Sequence, residues 1–254
     1  MYWFLCLLVF LGGYLINSFY ITVLYHRGLA HGAVKLAPWV RSLVIYSGNW
    51  ITGLDPKAWA CMHRRHHLYS DTPEDPHSPV YQGVFPLLYG QLKSYKKTLR
   101  GLITQQKSYT SFVSDLDFPV NSLNRQGLWY VPYIAHGLLA LTLSFGLDHW
   151  LLGAAYWLGI MSHPIQGWMV NALAHRFGYR NFATADNSRN NYLVAILVWG
   201  EGYQNNHHHA PNSATFAARW WELDMGYTLC RIARKLKMVE FPRIPGLIPM
   251  PQPA

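Results

Sequence analysis

The sequence predicts an all-α integral membrane protein in which three transmembrane helices carry a cytosolic helical cap. Hydrophobic residues make up 51% of the 254 positions and charged residues only 13%, a balance poor in charge for a soluble globular protein. Long uncharged blocks interrupt the chain, and its histidines are concentrated in short runs. We expect residues 1–254 to form a single domain.

The first predicted span covers residues 2–25, which include no charged side chain. A transmembrane helix needs about 20 apolar residues. The block lacks the basic start and the cleavage site of a secretory signal peptide, and its apolar run is longer than such a peptide has. It is therefore predicted to be a retained helix.

The second and third spans are predicted at residues 128–147 and 150–172. No Lys or Arg occurs between Arg125 and Arg176, and the single acid there is Asp148. The stretch is about twice the length of one span. We interpret Asp148 and His149 as the polar, solvent-facing tip of an antiparallel pair.

Residues 33–54 are also apolar, but Arg41 and Asn49 argue against a further span. A crossing here would place the histidines before and after it on opposite sides of the membrane. This segment is therefore predicted to be an interfacial helix.

Nearly all of the 21 basic residues then lie on one side, in a cap formed by residues 55–126 and 175–240. The positive-inside tendency makes that side cytoplasmic and the N-terminus external. We expect an integral protein of a bacterial inner membrane. Its net charge of +9 fits anionic lipid better than nucleic acid, because no nucleic-acid recognition motif accompanies it.

Three histidine runs, HRGLAH, HRRHH and QNNHHH, indicate metal binding. Positions i, i+3 and i+4 share one face of a helix, which groups His63, His66 and His67. The same spacing groups Gln204, His207 and His208, whereas His209 points about 100° away from His208 and is expected either behind the metal ligands or at the surface.

His26 and His31 are five residues apart, about 140° on an ideal helix. One of the two is therefore expected where the first span ends or unwinds. Three converging runs offer more nitrogen ligands than one ion uses, so the cap is predicted to hold a di-metal histidine site.

His175 ends the third predicted span, with Asn171 four residues earlier on the same helical face. From the residues alone it is either a further ligand, beside a water-holding amide, or an interfacial cap. His136, His149 and His163 stand alone in the sequence, and we interpret them as packing residues.

The ordered motifs resemble the membrane-bound fatty acyl desaturases of the stearoyl-CoA desaturase type. The likeness includes the three histidine boxes, the single His175 after VN, and GEG before the third box. Trp59, the run SDTPEDPHSP and the run NSRNN match as well. Together these features extend over residues 14–240.

The resemblance implies a centre of two Fe ions, O₂ as co-substrate, and introduction of a double bond into a fatty acyl chain linked to CoA, lipid or acyl carrier protein. Asn171 would hold a metal-bound water. The implied metal ligands are His26, His31, His63, His66, His67, His175, His207 and His208.

Electrons would come from an external donor of the ferredoxin, rubredoxin or cytochrome b5 type with its reductase, because the chain has no flavin, dinucleotide or HPGG motif. A fatty acyl hydroxylase or acetylenase on the same scaffold is the enzymatic alternative. A haem-binding or metal-transport membrane protein is the non-enzymatic one.

Three departures from the family pattern matter. Gln204 stands where many acyl-CoA members have His, so it binds metal loosely, through water, or not at all. Cys61 and Met62 replace an Arg-Asp pair, which leaves the acyl carrier open. The first span already ends at the first histidine box, so three spans are expected instead of four.

Substrate contacts are predicted at two places. A narrow apolar tunnel would select chain length, and Tyr14, Phe19 and Tyr20 are candidates to close its end. Candidate head-group contacts, which fit a solvated basic face equally well, are Lys93, Lys96, Lys97 and Arg100.

Overall fold

The computed structural model describes residues 2–242 and is mostly helical. Residues 1 and 243–254 of the expected domain lie outside the described residues. The α-helices are α1 Tyr2–Phe19, α2 Pro38–Thr52, α3 Pro56–Tyr69, α4 Pro79–Gln82, α5 Leu87–Ile103, α6 Lys107–Thr110, α7 Ser122–Arg125, α8 Val131–Gly146, α9 Trp150–Ile160, α10 His163–Trp168, α11 Tyr192–Leu197, α12 Gln204–His209 and α13 Met225–Lys235.

Three other types of element complete the description. Tyr20–Ala30 and Met169–Leu173 are π-helical, and Ser111–Val113 is a 3-10 turn. Strands β1 Lys35–Leu36 and β2 Val239–Glu240 pair antiparallel.

The first apolar helix is longer than predicted. α1 continues without a break into the π-helical segment, giving one helix of 29 residues, Tyr2–Ala30. It is the one helix within residues 2–242 that is long and apolar enough to cross a membrane. His26 consequently lies inside this helix, and His31 caps its end.

The third predicted span, residues 150–172, is wrong as a single helix. α9 ends at Ile160, and a new helix begins at His163. Pro164 has no N–H to continue the α-helical ladder. The Ser162 hydroxyl instead donates to the carbonyl of Gly159 at 2.7 Å. α8 with 16 residues and α9 with 11 are both shorter than the usual 20-residue span.

α1 and α9 pack backbone to backbone. A Cβ at Gly13 or Gly159 would collide with the opposite helix, so small residues permit the close approach. The Asn17 amide donates to the carbonyl of Ile160 at 2.8 Å. This bond satisfies the last turn of α9 inside an apolar environment.

Within the predicted interfacial segment, α2 is the helix. It ends at Gly53, whose φ of 73° is left-handed and suits glycine. Its exposed side carries Trp39, Leu43 and Tyr46. Asn49 faces inward and accepts a hydrogen bond from Asn124 at 2.9 Å.

α3 carries the second histidine run and begins at a strong cap. The Asp55 carboxylate accepts the N–H of Ala58 at 2.9 Å, and Pro56 occupies the first turn. The other oxygen of Asp55 accepts the N–H of Asn121 at 2.7 Å. These contacts fix the start of α3, and therefore the direction in which its histidines point.

Candidate metal centre

Five histidines converge in the first cluster, with one ring nitrogen of each within 4.8 Å of the others. The Nε2 of His63 lies 2.7 Å from that of His31 and 3.0 Å from that of His67. The Nε2 of His207 lies 2.9 Å from those of both His26 and His67.

The second cluster contains His66, His175 and His208, again with one nitrogen of each within 4.8 Å of the others. His66 and His175 are almost completely buried. The Nε2 atoms of all three are buried and have no hydrogen-bond partner in the described part of the chain.

The structure thus brings all eight predicted histidines together and divides them between two clusters. On α3, His63 and His67 join the first cluster and His66 the second. On α12, His207 joins the first and the adjacent His208 the second. Both short helices therefore lie between the two clusters.

His26 and His31 reach the same cluster because of the π-helix. In that geometry residue i bonds to residue i+5, so positions five apart stack on one face. The N–H of His31 donates to the carbonyl of His26 at 3.1 Å. The prediction that one of this pair lies at the helix end is confirmed for His31.

Carboxylates orient the second cluster. The Nδ1 of His66 lies 2.9 Å from Asp75, that of His175 lies 3.1 Å from Asp71, and that of His208 lies 2.5 Å from Asp186. In each pair Nδ1–H donates to the carboxylate, so Nε2 presents its lone pair.

In the first cluster the Nδ1 of His26 lies 2.6 Å from Glu201. The same carboxylate accepts from Arg27, also at 2.6 Å. Arg27 is completely buried, contacts Asp224 at 3.2 Å and stacks on the ring of Phe216. This ion-pair network fixes the inner end of the first histidine box.

Burial and neighbouring charges set the protonation of the first cluster. Burial, and then the charges of the surrounding histidines, lower the pKa of His31, His63, His67 and His207 well below the usual value. These imidazoles are therefore neutral at pH 7.

For the carboxylates, burial and neighbouring charges act on the pKa in opposite directions. Burial by itself would raise the pKa of Glu201, but the charges of His26 and Arg27 outweigh it and lower that pKa to about 2. Asp75 is likewise buried, yet the charge and hydrogen bond of His66 hold its pKa far below the usual range.

The donor set fits metal ions. Two imidazole nitrogens bound to one ion at right angles, each at about 2.1 Å, lie about 3 Å apart. The 2.7–3.0 Å separations of the first cluster match this geometry. In the second cluster, buried lone pairs that face one another without a donor would repel, and a cation removes that repulsion.

A cavity of about 60 Å³ adjoins the first cluster and is lined by His26, His63, Gln204 and Asn171. Apolar side chains, among them Ile21, form much of the remaining wall. The Gln204 amide donates to the carbonyl of Glu201 at 2.8 Å. Gln204 and Asn171 are thus at the site.

The three predicted tunnel residues are elsewhere and do not line this cavity. The hydroxyl of Tyr14 donates to the carbonyl of Leu197 at 2.6 Å, and Tyr20 bonds to Ser47 at 2.8 Å. Phe19 packs against the main apolar core. Ile21, one residue beyond Tyr20, is an apolar side chain of the first helix that does line the cavity.

The basic head-group candidates share the exposed face of α5. Lys96 lies over the ring of Trp129 at 4.2 Å. His209 is exposed and stacks on Phe182, as expected for a surface residue. The expected solvent-facing position of His149 needs correction, because its ring is half-buried and stacks on Tyr2.

Sequence reasoning missed the carboxylates Asp71, Asp75, Asp186 and Glu201. The signal for Asp71, Asp75 and Glu201 was the acidic run between Ser70 and Pro79 and the GEG before the third box, since a ligating histidine usually donates its second N–H to a carboxylate. Asp186 directly precedes the NSRNN run. It also missed His77, which is buried 4.5 Å from the ring of His66.

Comparisons with known proteins agree with this site. The model of the fatty acid desaturase family matches residues 1–236. A hex-5-enoyl-(acyl-carrier protein) acetylenase of Moorena producens is 32% identical over 92% of this chain and 76% of its own length.

Two further relatives are desaturases. Delta-9 acyl-lipid desaturase 1 of Arabidopsis thaliana is 30% identical over 92% of this chain and 73% of its own. Acyl-CoA C20 Delta5-desaturase of Anemone leveillei is 31% identical over 89% and 70%. This chain therefore belongs to the fatty acid desaturase family, whose members are oxidoreductases that act on fatty acyl chains.

Proposed function

We propose that this desaturase holds two iron ions, one in each histidine cluster, and uses O₂ to introduce a double bond into a fatty acyl chain. The observation that carries the proposal is the set of three buried Nε2 atoms, on His66, His175 and His208, that face one another without a hydrogen-bond partner among residues 2–242. When bound, the two irons would supply activation of O₂ and removal of hydrogen from adjacent carbons.

The chain's own residues prepare the site for this chemistry. Asp71, Asp75 and Asp186 hold three imidazoles with Nε2 directed inward. Trp59 stacks on His63 with ring centroids 5.0 Å apart. Because these groups are packed before any ligand arrives, the nitrogens need little rearrangement.

The apolar cavity beside the first cluster is the proposed place for the reacting carbons. At about 60 Å³ it has room for about two water molecules. An acyl chain would therefore enter by displacing flexible side chains such as that of Met62, which also lines the cavity. The apolar wall would keep bulk water away from the irons.

An acetylenase acting on an acyl chain linked to a carrier protein is the second candidate. The relative from Moorena producens has that activity by name. The exposed Lys93, Lys96, Lys97 and Arg100 would suit the acidic surface of a carrier protein. Membership of an oxidoreductase family argues against the haem-binding and metal-transport alternatives.

The proposed arrangement in the membrane follows the expected one. α1, α8 and α9 would cross or enter a bacterial inner membrane, with α2 at the interface. The cap, residues 55–126 and 175–240, would lie on the cytoplasmic side, and all these parts would form a single domain.

An external electron donor would approach the second cluster. A surface pocket of about 480 Å³ is lined by His175 together with Arg176, Asn187 and Arg189. The two arginines give it a positive rim, which favours an acidic carrier of the ferredoxin, rubredoxin or cytochrome b5 type.

Expression in a membrane host, followed by acyl-chain profiling and metal analysis, tests the function. We expect about two irons per chain, no haem absorption band, and a new double or triple bond. An unchanged acyl profile from iron-loaded protein supplied with a reductant would overturn the proposal.

A further inference from the structure

The segment around α11 leaves the cap and returns to it. Its last residue, Leu197, accepts a hydrogen bond from Tyr14, whereas Glu201, four residues later, contacts His26. Tyr14 and His26 are twelve residues apart on one helix, roughly 18 Å at 1.5 Å per residue. The chain therefore runs along the first helix, away from the metal centre, as far as Leu197 and then returns to the metal centre at Glu201.

Helix α11 exposes apolar side chains on one face. Tyr192, Leu193, Ile196 and Leu197 are exposed, with Leu193 at 65%. Val194, Ala195 and Val198 are buried on the other face. Such an amphipathic helix with an apolar outer face needs an apolar environment around it.

Neighbouring residues extend this surface. Trp221 lies beside Tyr192 and Tyr179, with ring centroids 6.3 Å and 5.2 Å away. Phe177 and Trp220 are exposed as well, Trp220 to 86%. A contiguous apolar patch of this kind marks an interaction site. We call these residues, together with the exposed face of α11, the α11 face.

The exposed arginines Arg176, Arg180 and Arg219 accompany the α11 face. Trp and Tyr beside Arg are typical of a membrane interface, where the rings lie at head-group depth and the arginines meet anionic lipid.

The backbone of the α11 segment is also compatible with lipid. The Asn191 side chain caps the helix by accepting the N–H of Val194 at 3.1 Å. At the lower end the N–H groups of Val198 and Gly200 find carbonyls at 2.8 Å and 2.7 Å. Paired backbone groups are a requirement for contact with hydrocarbon.

We infer that the α11 face inserts into the lipid bilayer beside the first helix, so that this part of the cap is a second membrane anchor. The inference rests on the membrane placement of α1 in the proposed function. The hydrogen bond from Tyr14 makes the α11 face continuous with the exposed apolar face of α1, which includes Leu8, Leu11 and Leu15.

Site-directed spin labelling of the full chain tests this inference. The three native cysteines are buried, so single cysteines can be introduced at Leu193 and Ile196. Ser114→Cys, at an exposed polar position of the cap, is the matched aqueous control. Leu8→Cys on α1 is the lipid control. Each labelled protein is placed in vesicles of phosphatidylcholine with phosphatidylglycerol, and collisions with O₂ and with a water-soluble nickel chelate are compared.

We expect labels at Leu193, Ile196 and Leu8 to collide several-fold more with O₂, relative to nickel, than the label at Ser114. Nickel access at Leu193 and Ile196 equal to that at Ser114 would overturn the inference. Low access to both reagents would indicate a protein partner, such as a second copy, and would overturn it too.

The control on α1 separates two kinds of failure. If the label at Leu8 is in lipid and those at Leu193 and Ile196 are in water, the inference of a second anchor is refuted and the proposed function is unaffected. If the label at Leu8 is in water, both the proposed membrane span of α1 and the second anchor are refuted.

Discussion

The Nδ1 of His175 lies 3.1 Å from the carboxylate of Asp71, although 104 residues separate them in the sequence. The same carboxylate accepts the N–H of Asn187 at 2.8 Å and the hydroxyl of Ser78 at 3.0 Å. Asp71 therefore ties the loop that contains Ser78 to the distant His175 and Asn187, and it holds His175 with Nε2 facing the second cluster.

We expect Asp71→Asn to weaken metal binding in the second cluster. The amide keeps the size of the side chain but loses the charge that orients His175, and such changes typically cost 10- to 100-fold in metal affinity. Iron retained per chain after dialysis against a chelator is the measurement. Asp117→Asn, at an exposed carboxylate paired with Arg41, is the control. Equal loss from both clusters, seen by Mössbauer spectroscopy, would contradict the assignment.

Two histidines of α12, two residues apart, provide a matched comparison. His207→Ala removes a nitrogen of the first cluster, whereas His209→Ala removes a ring that stacks on Phe182 at the surface. We expect the first variant to lose iron and turnover and the second to retain both. His63→Ala, His67→Ala and His208→Ala should behave like His207→Ala. Wild-type turnover in any of these four would remove that residue from the site.

Gln204→Ala should be milder than His207→Ala. The glutamine amide donates to the Glu201 carbonyl and lines the cavity, so its loss removes a hydrogen bond but no imidazole. Gln204→His is expected to be tolerated, because many acyl-CoA desaturases have histidine at this position. Iron content and acyl-chain turnover give the comparison. Loss of both irons from Gln204→Ala would show that the amide is an essential ligand.

Chain-length selection is predicted to respond to the cavity wall. Shortening Ile21 to Ala enlarges the cavity beside the first cluster and should lengthen the accepted chain or move the double bond. From the sequence we expected the same of at least one Ala or Thr variant among Tyr14, Phe19 and Tyr20. Mass spectrometry of the products shows whether Ile21 or one of the three sequence-based candidates controls chain length. An unchanged product profile for Ile21→Ala would locate the end of the chain elsewhere.

The metal-free protein should lose stability as the pH falls through 6.5. The folded-state pKa values of His31, His63, His67 and His207 are lowered, so below that pH the unfolded chain binds protons that the folded chain does not. Each group contributes about 1.4 kcal/mol per pH unit to the free energy of unfolding. Thermal unfolding in detergent at pH 7.5 and 5.5 measures the slope. It should be shallower in His207→Asn, and an equal or steeper slope there would count against burial as the cause.

Helical spacing was sufficient to group His63, His66 and His67, because α3 is regular and its three residues share a face. The same rule could not predict that His63 and His67 would join one cluster and His66 the other. The split between two clusters depends on Asp75 and Asp186, which approach from loops, and on His208, which comes from another helix. Such long-range contacts leave no periodic pattern in the sequence.

The apolar helices were predictable in position and less so in continuity. The uncharged block at residues 2–25 indicated α1 directly. The break at Ser162 was not foreseen, although Pro164 was visible, because proline also occurs within membrane helices where neighbours satisfy the freed backbone groups. The packing of Gly159 against the carbonyl of Phe10 depends on both partners and cannot be inferred from either block alone.

The π-helical segment Tyr20–Ala30 makes the first histidine box sensitive to chain length. Inserting one residue between His26 and His31 would place them six positions apart, about 120° around an ideal helix, whereas deleting one would leave them four apart on the same helical face. Exchanging one buried apolar side chain for another, as in Val23→Ile, leaves the number of residues per turn unchanged. Related sequences should therefore vary in composition between Tyr20 and His31 without gaining a residue between the two histidines, and an insertion in this short interval should abolish iron binding even when every histidine is retained.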